Sequence, residues 1–457
     1  MSTGGALRNP EFLKLWSGQA ISMTGSQVSV LAIPLIAAVV LKAGPFELGL
    51  LRALAFVPTL VLALPAGAWL DNVRRRPVMI AADLGRASLL ALIPLAALGG
   101  LLRIEELYVI ALLVGALSLL FDIAQSAWLP GAINTRHLVD ANSKLELSRW
   151  TVQVAGPALA GGLVQVVGAP LAVVADSISF VFSATLLSRI HTPEVHLDAA
   201  RRPGVTRRDV VAGVRLILRN RVLRALAGLA LLSNLFAYAQ SAVLLLYVTR
   251  ELGLEATAFG AVLAAFSLGG VCGSLCAARV AARLGQFGAI GVGVAVMATG
   301  DSLVALASGP LALGAIGLGQ FVTGVGLPIC GISMLSLRQT ITPANMLGRM
   351  NAASRLVSWG AIPIGALVGG ALGETVGLRP TLVICAGGSA LVVAWVMLTL
   401  RRAARASLVP SGGRWVHGRL LHGGGLSRSS RVVCRVRRAR GRFSRVGSAL
   451  PGVGSAR

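Results

Sequence analysis

The sequence Gly67-Ala-Trp-Leu-Asp71-Asn-Val-Arg74-Arg75-Arg76 separates two apolar runs, Leu50–Leu70 and Pro77–Leu102. Each run is long enough to cross a bilayer as an α-helix, which takes roughly 20 residues. The short polar stretch between them therefore predicts a tight hairpin at a membrane surface. Its three adjacent arginines predict that this surface is cytoplasmic. On charge alone, the stretch could simply be a positive-inside anchor whose carboxylate marks a helix end.

The composition of the whole chain indicates a membrane protein. Of its 457 residues, 55% are hydrophobic and 13% are charged, whereas about a quarter of a soluble domain is charged. Apolar runs recur from Leu13 to Leu400, and at roughly 30 residues per span and connection they accommodate about twelve helices. The alternating short segments of a membrane β-barrel are absent. We predict an all-α polytopic membrane protein with twelve transmembrane helices in two six-helix halves.

The longest polar stretch inside the membrane region runs from His191 to Arg221 and is rich in arginine. It predicts a cytoplasmic linker with a short surface helix near Asp209–Arg219. The end of the chain is basic and acid-free, which predicts a disordered tail. The sequence thus divides into an N-terminal six-helix bundle (1–190), a linker (191–221), a C-terminal six-helix bundle (222–402) and a cytoplasmic tail (403–457).

The net charge of +25 invites comparison with nucleic-acid-binding proteins, but its distribution argues against that function. Fourteen of the 42 basic residues lie in the tail Arg401–Arg457, and the others cluster between spans. There they orient the chain in a lipid bilayer and can meet its anionic headgroups. Few basic residues fall in the turns predicted to be external, namely Lys42, Arg103, Arg250 and Arg379. We predict a multi-pass protein of the cell (inner or plasma) membrane with both termini cytoplasmic.

Enzymatic and metal-binding functions have no support in the sequence. The five cysteines and five histidines lack metal-ligand spacing, and no Gly-x-x-x-x-Gly-Lys phosphate loop is present. No serine or cysteine has a credible base beside it. We expect no metal, no cofactor and no nucleic-acid partner.

The two halves repeat one another. Gly67 with Arg74–Arg76 corresponds to Gly273 with Arg279 and Arg283, about two hundred residues later. Two halves of six spans in the same orientation are typical of transporters that rock two bundles about a central site.

Polar residues at helical spacing follow four of the predicted spans. Such stripes face other helices or water and not lipid. We therefore predict that they line a cavity for a small-molecule substrate: Gln19, Ser22 and Ser26; Ser118, Asp122 and Gln125; Asn234, Tyr238 and Ser241; Gln320 and Thr323.

Ionisable groups inside the hydrocarbon are functional candidates because they are costly there. Asp122 lies in the middle of the fourth span and could load and release a proton. It could equally make a structural bond to neighbouring helices. Arg52 could be its partner or could bind an anionic substrate. Gly156, Pro157 and Gly161 in the fifth span predict close helix packing.

These residues resemble the major facilitator superfamily. Gly67-x-x-x-Asp71-x-x-Arg74-Arg75-Arg76 is similar to its loop between the second and third helices, with Asn72 in place of the usual arginine. The stretch Leu138-Val-Asp-Ala141-Asn142-Ser-Lys-Leu-Glu-Leu-Ser148-Arg149, followed by Gly156-Pro157, resembles the enterobactin-exporter and macrolide-efflux-like branch. The resemblance covers Asn9 to about Arg402.

The resemblance implies a proton-coupled secondary active exporter of a drug-like or siderophore-like compound, working as a monomer by alternating access. It places the first, fourth, seventh and tenth helices around the cavity. It also implies a charge network that closes the cytoplasmic face, formed by Gly67, Asp71, Arg74, Arg75, Arg76, Asp83 and Arg86. A solute importer of the same fold, and a membrane protein for lipid handling or sensing, remain as alternatives.

Overall fold

The computed structural model describes residues 9–70, 73–132, 138–191, 207–342 and 346–408. Asp71 and the predicted tail from residue 409 onward lie outside these ranges. The described residues form helices joined by short turns and include no strand. The helices are α1 (Pro10–Leu35), α2 (Pro45–Leu70), α3 (Arg75–Leu98), α4 (Ile104–Ala132), α5 (Leu138–Val167), α6 (Ala169–Ser188), α7 (Arg207–Arg219), α8 (Arg221–Leu246), α9 (Ala256–Leu306), α10 (Ala312–Ile341), α11 (Leu347–Thr375) and α12 (Leu378–Leu408).

Helix α9 contains two membrane crossings. Its apolar part, Thr257–Leu306, has 50 residues and as one straight helix would measure roughly 75 Å, more than twice the hydrocarbon thickness. The backbone leaves the helical conformation at Gly285, where φ is 71° and ψ is 171°, values that suit glycine. Eleven helices in the described ranges are long and apolar enough to span a membrane. Counting α9 twice gives the twelve predicted crossings.

The first span of each half is built in the same way. The side chain of Asn9 accepts hydrogen bonds from two backbone amides at the start of α1, and Asn220 does the same for α8, so both helices are N-capped. Both end in a π-helical turn, Ile36–Val40 and Tyr247–Glu251. Asn220 lies 211 positions after Asn9, which sets the spacing of the repeat.

The turns between spans alternate between two faces of the bundle. The turns at Lys42, Arg103, Gly168, Gly253, Ser308 and Gly377 form what we call the Lys42 face, and those at Arg74, Arg189, Asn220, Gly285 and Thr342 form the Arg74 face.

The hydrophobic core is shared at one face and divided at the other. Near the Lys42 face, one continuous cluster contains buried residues of both halves, including Leu35 and Leu48 from the first and Leu246 and Ile316 from the second. Toward the Arg74 face, the first half has a separate cluster around Phe12, and the second half has three others. The halves are therefore packed together chiefly at their Lys42 ends.

Helix α7 is amphipathic and occupies part of the predicted linker. Ile217 on its apolar side packs with Leu223 of α8 and Ala353 of α11. Its start at Arg207 is two residues before the surface helix predicted near Asp209.

Candidate functional site

Three residues from α2 and α8 meet between the halves, and we call them the Arg52 site. The guanidinium carbon of Arg52 lies 5.7 Å from the centroid of the Tyr238 ring. The Phe56 ring packs edge-on against Tyr238, with centroids 5.9 Å apart and an interplanar angle of 71°. All three side chains are half-buried. Arg52 and Tyr238 are predicted from the sequence as functional residues, but Phe56, which shares a face of α2 with Arg52, is not.

Asp83 and Arg86 form a buried ion pair inside the first half. Asp83 is 0% exposed and Arg86 is 7% exposed, and the Arg86 guanidinium donates to the Asp83 carboxylate. The guanidinium carbon also lies 4.2 Å from the Phe180 ring centroid and 4.7 Å from that of Phe121. The pair thus ties α3 to α4 and α6 through stacking as well as charge.

Asp176 of α6 accepts hydrogen bonds from three hydroxyl groups. Ser29 donates at 2.5 Å, Ser26 at 3.3 Å and Ser179 at 3.2 Å. The hydroxyl of Ser26, a predicted cavity residue, is therefore directed at a carboxyl inside the first half. Sequence spacing could place Ser26 on a stripe but could not identify its partner on a helix 150 residues away.

The second half contains a similar carboxyl. Asp301 of α9 is 6% exposed, and it accepts hydrogen bonds from Thr323 of α10 at 3.1 Å and Ser389 of α12 at 2.8 Å. Asp83 and Asp301 both lie on the third span of their half, next to the fourth and sixth spans. Thr323, a predicted cavity residue, thus bonds to a helix of its own half.

Gln19 and Gln125 bind each other. Their side-chain amides exchange two hydrogen bonds between α1 and α4, and that from Gln19 Nε2 to Gln125 Oε1 is 2.8 Å long. Both side chains are buried. The hydroxyl of Ser22, one turn further along α1, donates to the backbone oxygen of Gln19 at 3.1 Å. This part of the predicted cavity lining is a satisfied contact between two helices.

Asp122 has an exposed side chain. It lies nine residues after Leu113, an exposed apolar residue of the same helix. At about 100° per residue, nine residues place the two side chains on opposite sides of the helix. Asp122 is therefore on the side of α4 away from that lipid-compatible surface. Ser126, one turn later, is also exposed and extends this polar side.

The predicted cavity residues of the second half have mixed surroundings. The amide nitrogen of Asn234 donates to the Ser358 carbonyl of α11 at 2.9 Å. Ser241 donates to the Tyr238 carbonyl within α8 at 3.1 Å. Gln320 of α10 is half-buried. Tyr238 contacts Arg52 and Phe56 of the other half.

The arginines after Asp71 hold α3 to its own half. Arg76 donates from Nε to the Leu187 carbonyl at 2.8 Å and from Nη2 to the Ser188 carbonyl. Arg75 donates to the Ala127 carbonyl of α4 at 3.3 Å. Arg74 is exposed, and a Cβ atom added at Gly67 would have no neighbour within 4 Å. Asp71 is outside the described residues, so the predicted charge network stays a prediction.

Two glycine contacts join the halves near the Lys42 face. A Cβ added at Gly260 of α9 would lie 2.9 Å from the Pro157 carbonyl and 3.3 Å from the Gly161 Cα of α5. A Cβ added at Gly49 of α2 would lie 3.1 Å from the Gly370 Cα of α11. Gly260 follows Gly49 by 211 positions, so the repeat places both contacts symmetrically.

The predicted packing residues therefore serve two interfaces. Gly156 packs inside its half, where an added Cβ would lie 2.8 Å from the Gln27 Cβ. Pro157 and Gly161 face the other half, as described above. The importance of these small residues for packing stays a prediction, and the structure shows which residues they contact.

Arg250 joins the halves at the Lys42 face. Its Nη2 atom donates to the carbonyls of Ala38 and Ala43, both at 2.7 Å. The two carbonyls lie on either side of Lys42 in the sequence. Lys42 has a φ of 55°, which ends the helix, so the pattern of helical backbone hydrogen bonds does not continue through this turn. From the sequence, Arg250 is predicted only to lie in an external turn. The ends of α1 and α8 occupy equivalent positions in the repeat. Aligning the two halves of the sequence could have suggested that Arg250, at the end of α8, faces the other half.

Two further contacts lie at the same face. The Gln165 amide at the end of α5 donates to the Glu255 carboxylate before α9 at 3.1 Å. The Glu374 carboxylate of α11 packs against Gly44 before α2. Among the described residues, no group of three or more metal-binding side chains is found.

Comparison with known proteins identifies the family to which the chain belongs. A family model described as transmembrane secretion effector matches residues 1–421. The multidrug efflux pump Tap of Mycolicibacterium fortuitum is 28% identical over 339 residues, 71% of this chain and 80% of the relative. The MFS-type transporter y4rN of Sinorhizobium fredii is 26% identical over 380 residues, 79% of this chain and 88% of the relative.

A solved structure shares the fold. A bacterial homologue of the iron transporter ferroportin, in an inward-facing state, superimposes with a TM-score of 0.70 at 18% sequence identity, covering 87% of this chain and 99% of that one. The twelve crossings and the family match agree on one architecture. The chain belongs to the transmembrane secretion effector family of major facilitator transporters, which are membrane transporters and not enzymes.

Proposed function

We propose that this protein is a proton-coupled secondary active exporter that expels a hydrophobic or amphipathic small molecule, drug-like or siderophore-like, by alternating access. The division of the hydrophobic core is the observation that carries the proposal. The halves share one core near the Lys42 face and have separate cores toward the Arg74 face. Two bundles packed in this way can rock about the shared end.

We assign the Lys42 face to the outside and the Arg74 face, with both termini, to the cytoplasm. Positive charge supports this orientation, because Arg74, Arg75 and Arg76 all lie at one face. The described conformation then has its outer side closed by Arg250 and by the two glycine contacts. A solute would enter the space between the halves from the cytoplasm.

The outward direction of transport rests on similarity. One relative is named a multidrug efflux pump, and its sequence covers most of this chain. The half-buried rings of Phe56 and Tyr238 support a substrate with substantial apolar surface. Export of such compounds against a gradient requires an energy source, and the sequence offers no nucleotide-binding loop.

Asp122 remains the carboxyl that we assign to proton coupling. It is exposed on the side of α4 away from Leu113, so water in the space between the halves can reach it. Asp83 and Asp176, by contrast, are almost completely buried within the first half. A carboxyl that exchanges a proton with the solvent in each cycle must be accessible, and Asp122 meets that condition.

An efflux assay in a host lacking its own pumps tests the proposal. Cells expressing the chain should retain less of a compound identified in an accumulation screen, and an uncoupler should abolish the difference. Asp122→Asn should reduce efflux by at least about tenfold because the proton site is lost. Glu105→Gln is the matched control, since this exposed carboxylate lies at the other end of α4.

The alternatives give different results in the same assay. Greater accumulation in expressing cells would identify an importer. If no compound changes its accumulation and the protein is present in the membrane, a lipid-handling or sensing role would replace transport. Uncoupler-resistant efflux would contradict proton coupling.

A further inference from the structure

We propose that the Arg52 site, formed by Arg52, Phe56 and Tyr238, recognises an organic anion that carries an aromatic ring. The inference rests on the proposed transport function and names its substrate class. Arg52 would bind the acidic group, and the two rings would pack against the aromatic part. Three observations support it: the charge of Arg52, the geometry of the rings and their place in the fold.

No carboxylate among the described residues balances the charge of Arg52. The ion pairs found among the described residues are Lys14–Glu11 and Arg86–Asp83, so Arg86 has an acidic partner and Arg52 has none within 4.0 Å. The nearest acid on α2, Glu47, accepts a hydrogen bond from the backbone amide of Gly44 at 2.6 Å. A cation held between membrane helices without a counter-ion is costly, and a bound anion would offset that cost.

The rings present an aromatic surface beside this cation. Phe56 packs edge-on against Tyr238, which leaves part of each half-buried ring open to a ligand. Arg52 lies over the same Tyr238 ring at 5.7 Å, near the limit for cation–π attraction. This contact is weak enough to be exchanged for a carboxylate, whose charge-assisted hydrogen bonds to a guanidinium are stronger.

The site lies directly beneath the closed outer end. Gly49, one turn before Arg52 on α2, contacts Gly370 of α11, and Arg52 and Phe56 follow on the same side of the helix. Tyr238 belongs to the other half. A ligand there touches both bundles, so its binding can be coupled to their movement.

Equilibrium binding of an acid and its neutral analogue tests the inference. The purified full chain in lipid nanodiscs is titrated with radiolabelled 1-naphthaleneacetate, and unlabelled 1-naphthaleneacetamide is the competitor. The two probes share the ring and differ in charge. The wild-type protein should prefer the acid by about tenfold or more, the value of one charge-assisted hydrogen bond.

Variants assign the preference to Arg52. Arg52→Gln should bind both probes equally, with its affinity for the acid reduced to that for the amide. Arg52→Lys keeps the cation and should keep part of the preference. Arg103→Gln removes an exposed arginine from a turn at the Lys42 face and should leave both affinities unchanged. Tyr238→Leu should weaken both probes together.

Two results would overturn the inference: equal wild-type affinities for the acid and the amide, or an undiminished preference in Arg52→Gln. Both are separable from failure of the proposed function. If uncoupler-sensitive efflux is present but the acid preference is absent, the transporter stands and the substrate class is wrong. If the acid preference depends on Arg52 but no efflux occurs, the recognition site stands and export is wrong.

Discussion

Arg250 offers a direct test of how the Lys42 face, which we assign to the outside, is held closed. Its side chain reaches from the second half to the carbonyls of Ala38 and Ala43 in the first, with two N–O distances of 2.7 Å. Hydrogen bonds that involve a charged group contribute about 1.5 to 3 kcal/mol each when buried. Because Arg250 is an exposed residue, we take about 0.5 to 1 kcal/mol per bond, or about 1 to 2 kcal/mol together.

Replacing Arg250 by glutamine should therefore raise the ratio of outward-open to outward-closed molecules by a factor of about 5 to 30. Ser241→Cys, in a background without the native cysteines, reports this change. Its half-buried position lies one turn from Tyr238 toward the Lys42 face. Its labelling rate by a membrane-impermeant thiosulfonate added outside intact cells should rise by the same factor.

Arg103→Gln is the matched control, because it removes a positive charge from the same face at an exposed turn. Arg250→Lys keeps the charge but lacks the planar fork, so we expect an intermediate labelling rate. An Arg250→Gln protein that is folded, present in the membrane and labelled at the wild-type rate would refute the reasoning.

Two further perturbations follow from the packing. Gly260→Ala places a methyl group 2.9 Å from the Pro157 carbonyl, so it should loosen the contact between the halves at the Lys42 face and speed labelling at Ser241→Cys. Unchanged labelling would contradict close packing between α5 and α9. Asp83→Asn leaves the Arg86 cation buried without its partner, at a cost of about 3 to 5 kcal/mol, and should lower the thermal unfolding midpoint in detergent. Adding Arg86→Met should recover most of that loss, and a double variant as unstable as the single one would exclude a charge effect.

The sequence was sufficient to predict the architecture because span length and charge are local properties. A run such as Leu50–Leu70 needs only its own residues to be recognised as a membrane helix. The repeat was also visible, but its register became clear only in the structure, where the Asn9 and Asn220 caps lie 211 positions apart. The two crossings of α9 were also predictable, because Arg279 and Arg283 interrupt the apolar run just before the backbone break at Gly285.

The partners of the polar residues could not be predicted, since they depend on how distant helices pack. A helical stripe gives the side of a helix but not the neighbour that it meets. Ser26 shares a stripe with Gln19, yet Ser26 donates to Asp176 and Gln19 pairs with Gln125. The Arg52 site needed two halves brought together, and no spacing along the chain relates residue 52 to residue 238.

The central claim, that the two halves open alternately at the two faces, is tested most directly by paired distance measurements. Spin labels are placed at Gln165 and Glu255, whose side chains meet at the Lys42 face, and separately at Ser126 and Thr340, exposed toward the Arg74 ends of α4 and α10. Pulsed electron paramagnetic resonance then compares each pair with and without Arg250→Gln. We predict that the first distance lengthens while the second shortens. A change in which both distances lengthen together, or in which neither responds, would contradict alternating access.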